Sequence, residues 1–214
     1  METHRFELVA GSLCLDFVNS VGDRAGTWRY VRNYLPRYED VVSWGLQAQV
    51  LPEREAAALR ALAQRRPAEA AAAHERAVNL RETLHAIFSP IAHGAEGQPI
   101  DRDALAALNA MLPDLLVKSR LATSTEGLIY HWTFEGGEAP FDRIIWTVLQ
   151  SATELLTSGD LRHVHQCAME TCGWLFLDVS KNKTRRWCAM KLCGNKTKVR
   201  QHRAMRKEGS TGVS

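Results

Sequence analysis

No segment of the chain approaches the roughly 20 consecutive apolar residues of a membrane-spanning helix, and no basic stretch leads into a signal-like apolar run. These two absences make a cytoplasmic protein the expectation and argue against a membrane partner. There is no Gly-rich phosphate loop, no H-E-x-x-H and no G-x-S-x-G, so the sequence reads as a non-enzyme. Internal repeats of 20 to 50 residues are missing as well, which excludes solenoid and propeller folds. The most telling absence is local. Between Val179 and Lys207 there is no Asp or Glu, while Lys181, Lys183, Arg185, Arg186, Lys191, Lys196, Lys198, Arg200, Arg203, Arg206 and Lys207 supply eleven cations. Setting these aside leaves 16 of the chain's 27 basic residues against 24 acids. The rest of the molecule is therefore acidic, and only this stretch is suited to a polyanion.

With 214 residues and 45% hydrophobic composition, the chain can fill one core and carry a small additional module. The reading is α+β: a mainly helical first unit over 1–159 with a small antiparallel hairpin, and a second unit over 160–214. In the first unit, Leu13, Cys14, Phe17, Val18 and Val21 fall at helical spacing up to Gly22. Pro52 opens a helix carrying Leu59 and Leu62. A longer helix follows Pro67, with Leu80, Leu84, Ile87 and Phe88 on one face and an end at Pro90 and Gly94. Asp101 reads as an N-cap, ahead of a buried stripe of Leu105, Leu108 and Leu112. Residues 115–122 and 128–134 flank a turn-like segment and read as a hairpin with Tyr130, Trp132 and Phe134 on one face. Pro140 then starts a helix whose stripe, Ile144, Ile145, Val148, Leu149, Ala152 and Leu155, marks the centre of the core.

Cys14 lies in an apolar run and reads as a small core residue. Asp16, Asn19 and His131 read as polar-face residues. Asp16 and Asn19, together with Trp28 and Trp132, are also the candidates to line a pocket for a small-molecule effector.

The second unit carries the remaining cysteines, Cys167, Cys172, Cys188 and Cys193, as two C-x4-C pairs 15 residues apart. Paired thiolates separated by a finger-sized loop suit a tetrahedral Zn2+. A reducing compartment favours metal over the alternative of two disulfides. His163, His165 and His202 are alternative ligands, but four thiolates already close the shell, so the zinc is expected to be structural. Residues around His163 to Gln166 read as a strand entering a knuckle that Gly173 closes at positive φ. Trp174 to Val179 read as a strand leaving it. From Gly194 to Lys207 the reading is a helix with Asn195 as N-cap, Val199, His202 and Met205 covering the metal, and Lys196, Arg200, Arg203 and Lys207 in a basic stripe. Knuckle, hairpin and helix-borne ligands make a treble-clef-like layout.

The stretch C-x4-C-G-W-L-F-L-D, then R-R-W-C-x4-C-G-N-K and a basic helix, resembles the CGNR-type zinc finger of bacterial proteins. Gly11 to Ser20 is similar to the opening of the ABATE domain, which precedes that finger. The resemblance implies a stress-linked transcription regulator with Cys167, Cys172, Cys188 and Cys193 on zinc and the basic segment on duplex DNA. Lys196 stands where the namesake motif has Arg, which removes a bidentate fork at that position. The expected DNA contacts are Arg185, Arg186, Lys196, Lys198, Arg200, Arg203, Arg206 and Lys207. The first unit is expected to form a homodimer or to sense a ligand. The alternative is a structural zinc module that meets RNA or an acidic protein.

Overall fold

The computed structural model describes residues 4–22, 24, 32–94, 101–123, 130–134 and 140–200, with backbone alone at 130–132, 134 and 140. Among the described residues, six helices build the first unit: α1 (Leu13–Val18), α2 (Tyr38–Gln47), α3 (Glu53–Arg65), α4 (Pro67–Ala92), α5 (Arg102–Lys118) and α6 (Arg143–Thr157). Three two-stranded antiparallel sheets accompany them: β1 (Val21–Gly22) with β2 (Arg32–Asn33), β3 (Ser119–Thr123) with β4 (Tyr130–Phe134), and β5 (Val164–Gln166) with β6 (Leu175–Leu177). The architecture is therefore mostly helical with small sheets, as the hydrophobic periods imply. No helix among the described residues is long and apolar enough to cross a membrane.

The core forms where α1, α2, α4 and α6 meet. On α6, Ile144, Val148 and Ala152 are fully buried at i, i+4, i+8, and Ile145, Leu149 and Leu155 widen the stripe. Each buried aliphatic side chain of this size contributes roughly 1.5–3 kcal/mol. On α4 the opening alanines Ala70, Ala73 and Ala77 are buried, letting its first turns approach closely, before Leu80, Leu84 and Phe88 fill the centre. Phe17 of α1 meets Trp44 of α2 edge to face at 4.9 Å.

Some sequence expectations hold and others shift. As expected, α4 ends between Pro90 and Gly94: it runs on to Ala92, with Gly94 at φ 68°, and the proline removes one N–H bond from the last turn. Asp101 does cap α5, accepting from the amides of Asp103 and Ala104. The buried stripe behind it is Ala104, Leu108 and Leu115, and Leu105 is exposed. Residues 115–118 form the last turn of α5 rather than strand. The hairpin proper pairs Ser119 with Phe134 through to Thr123 with Tyr130. Its expected aromatic face falls on side chains outside the described residues, as does that of His131.

Candidate metal centre

β5 and β6 position the first cysteine pair. Val164 pairs with Leu177 and Gln166 with Leu175, and the ladder extends one step to Cys167, whose amide donates to the Trp174 carbonyl at 2.8 Å. The chain reverses between them over Cys172 and Gly173. Gly173 sits at φ 68°, the left-handed conformation that a tight knuckle requires and glycine permits. A second tie, Ala168 N–H to the Arg186 carbonyl at 2.8 Å, holds the knuckle against the segment that delivers Cys188.

The second pair flanks a helix start. Met190–Gly194 form a single π-turn with Ala189 as its N-cap, and residues 195–200 continue as α-helix. Asn195 is consequently inside the helix (φ −66°, ψ −40°), not its cap as the sequence suggested. Cys193 lies in the first turn, where backbone amides and the positive end of the helix dipole favour thiolate. Its carbonyl accepts from Thr197 Oγ1 at 2.9 Å.

The four sulfurs lie within 4.8 Å of one another and all four residues are buried. Cys172 and Cys188 are 3.8 Å apart and Cys188 and Cys193 3.4 Å. A tetrahedral ion with Zn–S bonds of about 2.3 Å spaces its sulfurs about 3.8 Å apart, so the donor set fits. None of the histidines weighed as ligands joins the cluster among the described residues, and all five cysteines are free of disulfides. Hydrogen bonds from Cys172, Cys188 and Cys193 hold the Cys167 thiol far below the usual range, while hydrogen bonds to Cys167, Cys172 and Cys193 hold Cys188 far above it. Four such groups ionise together only around a cation. They form a zinc-binding site with a closed shell, which leaves no open position for substrate and makes the metal structural.

Around this centre the structure brings in residues that the sequence reading passed over. Asp178 is fully buried, with Oδ1 accepting from Ser180 N–H and Oδ2 from Arg185 N–H, both at 2.8 Å. Burial opposes its ionisation, but these hydrogen bonds and the Lys183 charge prevail and hold the carboxyl down at about 2. Arg185 is turned inward. Its guanidinium lies 4.4 Å from the Phe176 ring centroid and donates to the carbonyls of Val9, Trp187 and Cys188. This differs from the expectation that Arg185 faces DNA: the fork is engaged within the protein. Arg186, Lys196, Lys198 and Arg200 are exposed, with Arg200 in a solvent-exposed pair with Glu170 at 3.6 Å. Val199, expected over the metal, is 50% exposed. Arg203, Arg206, Lys207, His202 and Met205 lie outside the described residues.

The module is seated on the first unit through the outer edge of β6. Leu177 N–H donates to the Ala10 carbonyl at 2.7 Å, and Trp174 Nε1 donates to the Val21 carbonyl at 2.9 Å. Asn19 Nδ2 donates to the Leu175 carbonyl at 2.8 Å and its Oδ1 accepts from Leu175 N–H at 2.9 Å. Gly11, at φ 76°, comes so close that a Cβ there would lie 2.9 Å from the Leu177 carbonyl oxygen.

Asp16 is held nearby, its Oδ1 accepting from Ala10 N–H at 2.8 Å. Burial raises its carboxyl to about 6, against the pull of hydrogen bonds from Ala10 and Val9 and of the Arg185 charge. Asp16 and Asn19 line one cavity of about 60 Å³ with His4, Phe6, Tyr34 and Trp174. That space suits an ion or a few waters and is well below the roughly 300 Å³ of a small metabolite pocket. Of the other pocket candidates, Trp28 lies outside the described residues, and Trp132 is described only by its backbone in β4.

Comparison with protein families decides the relationship. Residues 11–159 match the ABATE family, described as “Putative stress-induced transcription regulator”. The chain belongs to the ABATE family. Residues 163–206 match the CGNR zinc finger, so the four cysteines of this ABATE chain are those of a CGNR finger. The family description points to a regulator rather than an enzyme. Among curated proteins, none matches the chain.

Proposed function

We propose that this ABATE-family chain is a transcription regulator whose second unit, 160–214, binds duplex DNA, while its first unit, 1–159, dimerises or senses a ligand. One observation carries the reading. The helix that carries Cys193 in its first turn exposes Lys196, Lys198 and Arg200 within a 29-residue stretch free of acids, and zinc fixes the direction in which that helix points. Arg186 is a further exposed cation in the same stretch, with Arg203, Arg206 and Lys207 following in sequence. The Arg200–Glu170 pair is highly exposed on both sides, so it is weak and yields readily to a phosphate. Leu116, Val117 and Leu121, 70%, 69% and 63% exposed at the end of α5 and on β3, support a dimerisation role for the first unit.

The test is a salt series of binding to random duplex DNA by the zinc-loaded protein. Affinity falls with a log–log slope of roughly −0.9 per phosphate neutralised. Binding that does not change between low and moderate salt overturns the proposal. Affinity for structured RNA or an acidic protein, with none for duplex, selects the alternative partner.

A further inference from the structure

The exposed face of the finger helix is not uniformly cationic. At about 100° per residue, Thr197 lies roughly opposite both Asn195 and Val199. It is Thr197 that turns inward, half-buried and bonded to the Cys193 carbonyl. Asn195 and Val199, one turn apart, therefore occupy the centre of the outward face. Lys196 and Lys198 fall about 80° to either side of that centre, and both are exposed.

Neither central residue supports the helix. Asparagine and valine are both weaker helix formers than the alanine or lysine a solvated face favours. Asn195 caps nothing, and its amide has no hydrogen-bond partner among the described residues. Val199 is 50% exposed, an open position for a branched apolar side chain. An amide and a branched methyl group flanked on both sides by lysines match the division of labour of a groove-reading helix. Flanking cations hold the phosphates, and the central side chains meet base edges.

We propose that Asn195 and Val199 read an A·T step in the major groove. Asn195 pairs through its amide with adenine N6 and N7, and Val199 packs on a thymine 5-methyl group. This rests on the duplex-DNA reading above. It adds sequence preference to what the cations alone make non-specific, and it locates that preference beside Lys196, the position that departs from the family motif.

The test starts from selection of bound sequences out of a random duplex pool by the zinc-loaded full chain. The selected duplex is then remade with uracil for thymine, which removes the methyl, or with 7-deazaadenine, which removes N7. The wild type enriches a motif containing A·T pairs and loses roughly five-fold or more in affinity on 7-deazaadenine substitution at one position, with a smaller loss on uracil substitution next to it. Asn195→Ala is insensitive to 7-deazaadenine and Val199→Ala to uracil, with zinc content unchanged in both. Duplex binding that enriches no motif, or variants that keep the wild-type motif and analogue sensitivities, overturns this inference and leaves the DNA reading standing. Absence of any duplex binding overturns both. The analogue measurements on the wild type decide the matter even if a variant fails to fold.

Discussion

Asn19 and Leu175, 156 residues apart in sequence, form a two-bond pair in which one side-chain amide satisfies both the N–H and the C=O of a single strand residue. A side chain thus takes the place of a neighbouring strand. It closes the edge of β6 that β5 leaves open.

Asn19→Ala should strand two buried main-chain groups at once. With each unsatisfied group costing roughly 1–3 kcal/mol, the loss should be on the order of 3 kcal/mol in denaturant unfolding. Zinc should also be lost faster to a chelator, because β6 supports the knuckle. Unchanged stability would show that the pair is dispensable.

Removing the metal should unfold the second unit and spare the first. A Cys188→Ser variant, or wild type treated with chelator, should lose its single equivalent of zinc. Amide protection should then vanish over residues 164–200 while the α4 and α6 cores persist. Metal analysis and hydrogen exchange read the two effects separately.

Two acids should give opposite pH signatures. Asp16 has a folded value raised to about 6 against an ordinary 3.8. The folded state therefore binds the extra proton, and stability declines as pH rises from about 4 through 6. The decline amounts to about 3 kcal/mol. Asp178 is depressed to about 2, so its contribution is complete above about 4 and is lost as pH falls through 2. Denaturation at pH 4.5 and 7 should show a smaller difference for Asp16→Asn than for the wild type. Any proton-driven zinc loss is common to both proteins and cancels in the comparison.

Neighbouring arginines should separate cleanly. Arg186→Ala should leave unfolding almost unchanged and reduce the salt slope of DNA binding by about 0.9. Arg185→Ala should cost at least about 3 kcal/mol of stability, since a charged group hydrogen-bonded to carbonyls contributes about 1.5–3 per bond and Arg185 reaches the carbonyls of Val9, Trp187 and Cys188. Equal effects on DNA affinity at matched zinc content would contradict the inward placement of Arg185.

Gly11→Ala should destabilise through two causes that act together: the left-handed backbone and the 2.9 Å approach to Leu177 oxygen. A loss of at least about 1–2 kcal/mol is expected, measured by thermal or denaturant unfolding.

Features governed by local rules were legible in the sequence. The cap at Asp101, the stripe on α6, the strand–knuckle–strand passage through Gly173 and the cysteine quartet all depend on residues a few positions apart, and all appear in the structure. Helix α2 was not read, because its apolar residues Tyr38, Val41, Val42 and Trp44 span little more than two turns and blur into the surrounding polar sequence. The finger helix starts five residues before Asn195 because a π-turn has a period that helical spacing does not reveal. The inward engagement of Arg185 was not legible, since a cation among cations looks like a phosphate contact. Its carbonyl partners are main-chain atoms and leave no mark on composition. The one available signal was Asp178, an acid on the border of the acid-free stretch and between apolar neighbours, where only a buried role explains it. Asn19 stood out only as a polar residue and pocket candidate and gave no signal of this pairing, since its partner is a backbone 156 residues away.

The seating of β6 on residues 9–21 also orders events during synthesis. Val9, Ala10, Asn19 and Val21 leave the ribosome some 150 residues ahead of the groups they bond. Domains form N-terminal first during synthesis, so α1 to α5 are available to the growing chain while these carbonyls and this amide are still hydrated. A lesion near Gly11 or Asn19 is therefore expected to act on the surface that receives β6 before the zinc site is made.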